Sequence, residues 1–297
     1  MNRLQHYAVP LEAEEQERLA LQLGALDAAL AEQPGDAEKL FERGAVYYEV
    51  GDLAAAIADF TAVLNITPEA TEAYLYRGIC YAEQEKFNLA IADYNQALLL
   101  DPTFVKAYNN RGVAYMQAGQ LQQAVADFDT YISLSPGEGQ PYYGRALCNA
   151  ELGHFEQAAG DFTRAIELGM TDADSFNNRG SCYLLANKLA EALADYNQAV
   201  ALDPQYADAY YNRARTYGAQ GDYERALADF TRATGLDPEN AQAMAGEGMA
   251  LALLGRYDEA EPILARAQQI DPGVQEQIAP FLAAISKEGG GGDGGSE

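Results

Sequence analysis

Seven prolines at multiples of 34 constrain this chain more than any other feature: Pro34, Pro68, Pro102, Pro136, Pro204, Pro238 and Pro272. The series skips 170, where Met170 stands. A fixed period of this length marks a stack of supersecondary units, and 34 residues suit a helix, a turn and a second helix. The expected fold class is therefore all-α, an α–α superhelix in which each unit packs only on its neighbours. Such a stack offers partners an extended concave surface in place of a closed pocket for chemistry.

Placing the periodic proline at position 32 gives seven full repeats, at 37–70, 71–104, 105–138, 139–172, 173–206, 207–240 and 241–274. Position 4 then reads Leu40, Tyr74, Tyr108, Tyr142, Phe176, Tyr210 and Met244, and position 8 is Gly or Ala throughout, from Gly44 to Gly248. Position 11 is mostly tyrosine, position 20 is alanine from Ala56 to Ala260, and position 24 carries Phe60, Tyr94, Phe128, Phe162, Tyr196, Phe230 and Leu264. Spacings of three and four residues put these sets on single helix faces. The small residues let two helices approach closely, and the rings fill the space around them. Between the helices stand Gly51, Gly119, Gly153, Gly221 and Gly255, with Asn187 in one repeat and Glu85 departing from the pattern in another. Glycine and asparagine tolerate the left-handed conformation that ends a helix. The Asp-Pro pairs at 101–102, 203–204, 237–238 and 271–272 end the second helices, because a residue before proline avoids helical angles. The repeat at 139 departs most: Pro141 enters its first helix, Gly144 is expected to interrupt it, and Asn149 replaces the tyrosine.

This aromatic–small–Tyr…Ala…Phe…Pro signature resembles the tetratricopeptide repeat family over residues 37–274. The resemblance implies a solenoid of seven repeats with terminal capping helices. Leu19, Leu23, Leu26 and Leu30 form an apolar stripe in 1–36, expected to be a leader and an N-terminal capping helix. Val274, Ile278, Phe281, Leu282 and Ile285 suggest a C-terminal capping helix over 275–288, where Pro280 could introduce a kink. A flexible Gly-rich tail is expected at 289–297.

The formal charge of −26, with 19 Lys and Arg against 45 Asp and Glu, argues against nucleic acid, which needs clustered cations. It also disfavours anionic membrane surfaces. No apolar run precedes the acidic stretch at 12–17, and no segment approaches the roughly 18 apolar residues of a membrane span, so a cytoplasmic location without membrane insertion is expected. Cys80, Cys148 and Cys182 share position 10. Equivalent positions in adjacent repeats lie on the order of 10 Å apart, too far for a disulfide, so the cysteines read as small core residues.

Position 7 is arginine in six repeats (Arg43, Arg77, Arg111, Arg145, Arg179, Arg213), and position 23 is aspartate in the same six (Asp59, Asp93, Asp127, Asp161, Asp195, Asp229). Both vanish together in the seventh, as Glu247 and Ile263. The joint loss suggests contact, either within a repeat or between neighbours, with forked guanidinium–carboxylate pairs fixing the stacking register.

The remaining face of the first helix comprises positions 2, 5, 6, 9, 12 and 13, which the family resemblance places in the concave groove. The candidate binding residues there are Asn109, Asn110, Val113, Tyr143, Leu147, Asn177, Asn178, Ser181, Tyr211, Asn212 and Arg215. Asparagine is a poor helix former, so its recurrence asks for a reason. A carboxamide offers a donor and an acceptor, matching one peptide group of a partner; hydrogen bonding to a neighbouring helix is the other reading. Some family members hold extended peptides with asparagines at the position of Asn110, Asn178 and Asn212. The family's clamp for C-terminal carboxylates lacks its lysines at position 5 and its asparagines at position 9. No nucleophile with a base, metal set or phosphate loop is legible, so neither enzyme activity nor a cofactor is expected. The expected function is binding of a peptide or protein segment, apolar or basic, as an adaptor or assembly factor. A structural scaffold that self-assembles through its ends or convex face is the alternative.

Overall fold

A computed structural model describes residues 13–289. The expected leader up to residue 12 and the tail beyond Gly289 lie outside the described residues. Helices occupy the chain in the order the period sets: α1 (Ala13–Glu32), α2 (Ala37–Glu49), α3 (Leu53–Ile66), α4 (Thr71–Glu83), α5 (Phe87–Leu100), α6 (Val105–Gln117), α7 (Leu121–Leu134) and α8 (Gly139–Glu151). They continue as α9 (Phe155–Glu167), α10 (Ala173–Leu185), α11 (Leu189–Leu202), α12 (Ala207–Ala219), α13 (Tyr223–Leu236), α14 (Ala241–Leu253) and α15 (Tyr257–Ile270). A 3-10 turn at Pro272–Val274 then leads into α16 (Gln275–Gly289). Two compact units divide between Cys148 and Asn149, inside α8. In the first unit α2 to α7 pack in sequence order and α1 packs on α2; in the second, α9 to α15 do the same and α16 packs on α14 and α15. No described helix is long and apolar enough to cross a membrane.

Each boundary has a local cause. Asp36, Asp52, Asp172, Asp222 and Asn240 accept hydrogen bonds from backbone N–H groups in the first turns of α2, α3, α10, α13 and α14, satisfying donors that have no helical partner. Asp101, Asp203, Asp237 and Asp271, each before proline, leave helical angles with φ between −129° and −134°. Where the proline is missing, a glycine ends the helix instead: Gly169 takes φ 102°, and the Met170 N–H returns to the Ala165 carbonyl at 3.1 Å. The turn between paired helices has φ of 72–83° at its five glycines and 58° at both Asn187 and Glu85. Glu85 departs from the composition expected there, yet it adopts the same left-handed conformation.

The core follows the repeat. Position-20 alanines are at most 1% exposed, as are the rings of Phe60, Tyr94, Phe128, Phe162 and Tyr196 at position 24. The small residue at position 8 is sterically required: a Cβ on Gly78 would lie 2.6 Å from the Tyr94 ring, and one on Gly248 would lie 2.5 Å from Leu264. In contrast to the expected interruption, α8 runs unbroken through Gly144. Pro141 is its third residue, in the first turn where a missing N–H costs no helical bond. Gly144 makes room for Phe128, whose ring would meet an added Cβ at 2.6 Å. Pro280 lies within α16, which continues past it to Gly289.

The arginine ladder makes contacts both within and between repeats. In Arg43, Arg77, Arg111, Arg179 and Arg213, Nε and Nη2 donate to both oxygens of the aspartate sixteen residues later, at 2.6–2.8 Å. The remaining Nη1 reaches back to position 25 of the preceding unit, donating to Asp27, Thr61, Asn95, Thr163 and Asn197 at 2.6–3.1 Å. Arg145 makes the same backward bond to Asp129 at 2.5 Å. In the last repeat the polarity reverses: the hydroxyls of Thr231 and Thr234 donate to Glu247 at 2.7 and 2.9 Å.

Arg111→Ala should destabilise the protein by about 2–3 kcal/mol, because it strands the buried Asp127 carboxylate. A double-mutant cycle followed by urea denaturation should give a coupling of about 2 kcal/mol with Asp127 and about 0.5 kcal/mol with Asn95. Equal couplings would mean that the forked pair holds nothing that the single backward bond does not. Glu85→Gly should raise stability by about 1 kcal/mol by relieving left-handed strain. Gly78→Ala should lower it by about 1–3 kcal/mol through the clash with Tyr94. Thermal melts of both variants check these opposite signs.

Candidate functional site

The candidate residues all lie on the first helices of their repeats. In the first unit, α6 presents Asn109, Asn110 and Val113, and α8 presents Tyr143 and Leu147, all half-buried. In the second unit, α10 carries Asn177, Asn178 and Ser181, and α12 carries Tyr211, Asn212 and Arg215. Arg215 is exposed, whereas Asn177 is buried. At position 5, Leu75 and Ala245, like Asn177, are buried.

The two units use their asparagines differently. In the second, Asn212 Nδ2 donates to Asn177 Oδ1 at 3.1 Å, and Asn177 Nδ2 donates to the Tyr206 hydroxyl at 3.3 Å. That hydroxyl donates in turn to Asp174 Oδ1 at 2.5 Å. This chain of bonds ties α10 to α12, so the hydrogen-bonding reading between helices applies to Asn177 and Asn212. Ser181 Oγ donates to the Asn177 carbonyl at 2.9 Å and accepts from the Tyr196 hydroxyl at 3.2 Å. Burial pushes that tyrosine up to about 12, so it stays a neutral donor at physiological pH. The Arg215 guanidinium lies 5.6 Å from the Tyr211 ring centre, a cation–π distance.

In the first unit the corresponding partnership is absent. The residue one repeat after Asn109 and one place on, equivalent to Asn212, is Gly144, and the Phe128 ring leaves no room for a side chain there. Asn109 Oδ1 is consequently buried without a hydrogen-bond donor. Burying a carbonyl oxygen unpaired costs roughly 1–3 kcal/mol. Asn110 makes no side-chain hydrogen bond to any described residue.

One constellation was not singled out by sequence reasoning. Phe41, Phe60 and Tyr76 form a ring cluster with centroids 5.4–5.7 Å apart, and Tyr48 meets Tyr76 edge-on at 6.5 Å. The Tyr48 hydroxyl donates to Glu83 Oε1 at 2.6 Å; burial, followed by the Glu83 contact, raises its pKa further. The available signal was aromatic residues at positions 5, 12 and 6 of adjacent repeats. Phe41 also lines an open hollow of about 310 Å³ with Glu38, Val63, Thr67, Thr71 and Glu72. A second hollow of about 490 Å³ lies over the interhelix turns, between Glu85–Leu89, Ala118 and Gln120, and contains none of the candidate residues.

Among the described residues, no three His, Cys, Asp or Glu side chains converge as metal ligands would. Cys80, Cys148 and Cys182 are buried and form no disulfide among the described residues. Burial pushes the thiols of Cys80 and Cys182 up to about 12, leaving them protonated and poorly nucleophilic at neutral pH.

Comparison with known proteins agrees with the repeat geometry. Tetratricopeptide repeat family models match residues 41–102 and 211–274, 78–142, and 182–221. None of the curated protein sequences matches the chain. Among solved structures, the protein YrrB, described as a TPR protein with an unusual peptide-binding site, is 25% identical. Its match covers 62% of this chain and 95% of YrrB, with a TM-score of 0.57. A tetratricopeptide repeat protein from Parabacteroides merdae is 20% identical over 84% of this chain and 98% of its own, with a TM-score of 0.61. The C-terminal part of a TPR repeat-containing protein from Cytophaga hutchinsonii is 18% identical over 80% and 98%, with a TM-score of 0.66. With the period, the helix pairs and the family matches coinciding, the chain belongs to the tetratricopeptide repeat family, whose stacked helix pairs form a protein-interaction module.

Proposed function

We propose that this protein is a non-catalytic adaptor or assembly factor that binds an extended peptide segment of another protein along the first-helix face. The carrying observation is the buried Asn109 Oδ1 with no donor, beside the uncommitted Asn110 and the half-buried Val113 and Leu147. An orphaned acceptor in an otherwise satisfied scaffold is explained if a small side-chain rearrangement lets it meet a ligand's peptide N–H. The peptide-binding site named for YrrB supports the same reading by likeness. One net hydrogen bond contributes about 1 kcal/mol, so apolar contacts with Val113, Tyr143 and Leu147 must supply most of the affinity, at about 1.5–3 kcal/mol per well-buried side chain. In the second unit, Asn178, Ser181, Tyr211 and Arg215 are the candidate contacts, with Asn177 and Asn212 holding the helices that present them.

A second reading, a scaffold acting through self-association, draws on the exposed Leu21, Leu89 and Leu99, the last 74% exposed. Sedimentation at micromolar concentration distinguishes the two: a monomer is expected, and a concentration-dependent increase in mass would favour the scaffold.

Peptides selected from a displayed random library against the intact chain test the binding reading. Asn110→Ala should weaken the selected peptides about fivefold and leave the melting temperature unchanged. Asn212→Ala should instead lower stability by about 1 kcal/mol by breaking its bond to Asn177. Failure to select any peptide, or selected peptides indifferent to both Asn110→Ala and Leu147→Ala, would sink the first-helix face as the binding site.

A further inference from the structure

The structure repeatedly holds its own guanidinium groups between a carboxylate and an aromatic ring. Arg77, Arg111, Arg179 and Arg213 each fork onto an aspartate while lying 5.4–5.7 Å from the centre of a position-4 ring. On α2 and α4 the same two components recur without a cation. The rings are Tyr48 and Tyr76. The carboxylates are Glu49, the last residue of α2, and Glu83, the last residue of α4, both exposed. No described Lys or Arg pairs with Glu49 or Glu83 or stacks on Tyr48 or Tyr76.

The position of these carboxylates is electrostatically adverse to the protein alone. A helix C-terminus carries partial negative charge, which favours cations and disfavours Asp and Glu. Neither α2 nor α4 has a basic residue in its last turn. Two glutamates at two helix C-termini, one of them hydrogen-bonded to Tyr48, whose ring meets Tyr76 edge-on, form a site complementary to a planar cation. Guanidinium suits it better than ammonium, because it is weakly hydrated, stacks on rings and donates in a fork. At the other end of the same helices, Glu38 and Glu72 rim the hollow that contains Phe41, so the negative charge continues along the face.

We infer that the first-helix face of α2 and α4 is a docking site for an arginine-bearing segment of a partner protein, with the guanidinium seated against the Tyr48–Tyr76 pair and beside Glu49 and Glu83. The inference rests on the proposal that the first-helix face binds peptide, and it assigns the partner's chemistry at residues outside the asparagine set.

The test is calorimetric titration of the full chain with terminally blocked hexa-arginine, hexalysine and hexacitrulline peptides at physiological ionic strength. Citrulline keeps the shape of arginine without its charge. Hexa-arginine should bind about tenfold more tightly than hexacitrulline and more tightly than hexalysine. Glu83→Gln and Tyr76→Leu should each weaken hexa-arginine three- to tenfold, whereas Glu224→Gln, on α13, should leave it unchanged. Tyr48→Phe keeps the ring and releases Glu83 from its hydroxyl, so binding should be retained or tightened; this variant serves if Tyr76→Leu unfolds. Equal losses in Glu83→Gln and Glu224→Gln would reduce the effect to the overall charge of −26 and overturn the inference. So would equal affinity for arginine and citrulline, or a gain in affinity on removal of residues 1–12, which would make Arg3 the native occupant. Library peptides that depend on Asn110, found alongside indifference to hexa-arginine, would remove this site and leave the first-helix proposal standing. Failure of both sets of peptides would remove both.

Discussion

The position-7 arginine is the interaction on which the stack depends. Its side chain spans three helices: it rises from the first helix of a repeat, forks onto the second helix of that repeat, and reaches the second helix of the repeat before. Asp59, Asp93, Asp127, Asp195 and Asp229 are at most 7% exposed. A carboxylate that deep costs several kcal/mol if its partner is displaced. Slippage between helices is thus penalised far beyond the net contribution of the pair. Apolar contact among alanines and rings drives the packing, but it is tolerant of small sliding motions. The planar, bidentate fork is not. Burial supplies the driving force, and the ion pair selects the register.

The ladder also explains how the array begins and ends. Asp27 on α1 accepts from Arg43 as Thr61, Asn95, Thr163 and Asn197 do from later arginines. α1 therefore behaves as the second helix of a truncated unit, with Leu19 and Leu26 packing against Val46. At the other end, arginine and aspartate give way together to Glu247 and Ile263. The core there is apolar: Leu264, Val274 and Ile278 are fully buried, and Ile285 joins them from α16. Hydrophobic closure there replaces the ion pair.

Most of the fold was legible because it is periodic. Residues that recur in seven places reveal their roles by what they share, as alanine at position 20 and the rings at position 24 do. Individual departures were harder to read. Glu85 departed from the glycine pattern, but the turn around it imposes a left-handed conformation whatever the residue. Gly144 looked like a helix breaker, but the sequence does not show that the Phe128 ring occupies the space beside it. The missing proline at 170 gave no sign that Gly169 would end α9. The candidate face was legible as a set of positions, not as a pattern of bonds. Whether an asparagine is committed depends on a residue 35 places away: Asn177 meets Asn212, while the counterpart of Asn109 is Gly144. Tyr48 and Tyr76 were overlooked because their pairing crosses positions 12 and 6 and cannot be found by comparing like with like.

The scaffold and the binding chemistry are connected through charge. The register device draws on arginines at position 7, and these are therefore held inside the stack. Across positions 2, 5, 6, 9, 12 and 13 of the seven repeats, the cations left are Lys106 and Arg215, against carboxylates at Glu38, Glu42, Glu49, Glu72, Glu83, Glu151, Asp174 and Asp208. These positions are consequently acidic, because the arginines of the stack are committed to its register. A negative face attracts basic segments from a distance and repels acidic ones, and this bias acts before any specific contact forms. Under the proposed function, aromatic rings at α2 and α4 and carboxamides at α6 then discriminate among the segments that arrive. On that proposal, stacking limits the chemistry of the partner before any residue of the first-helix face is specified.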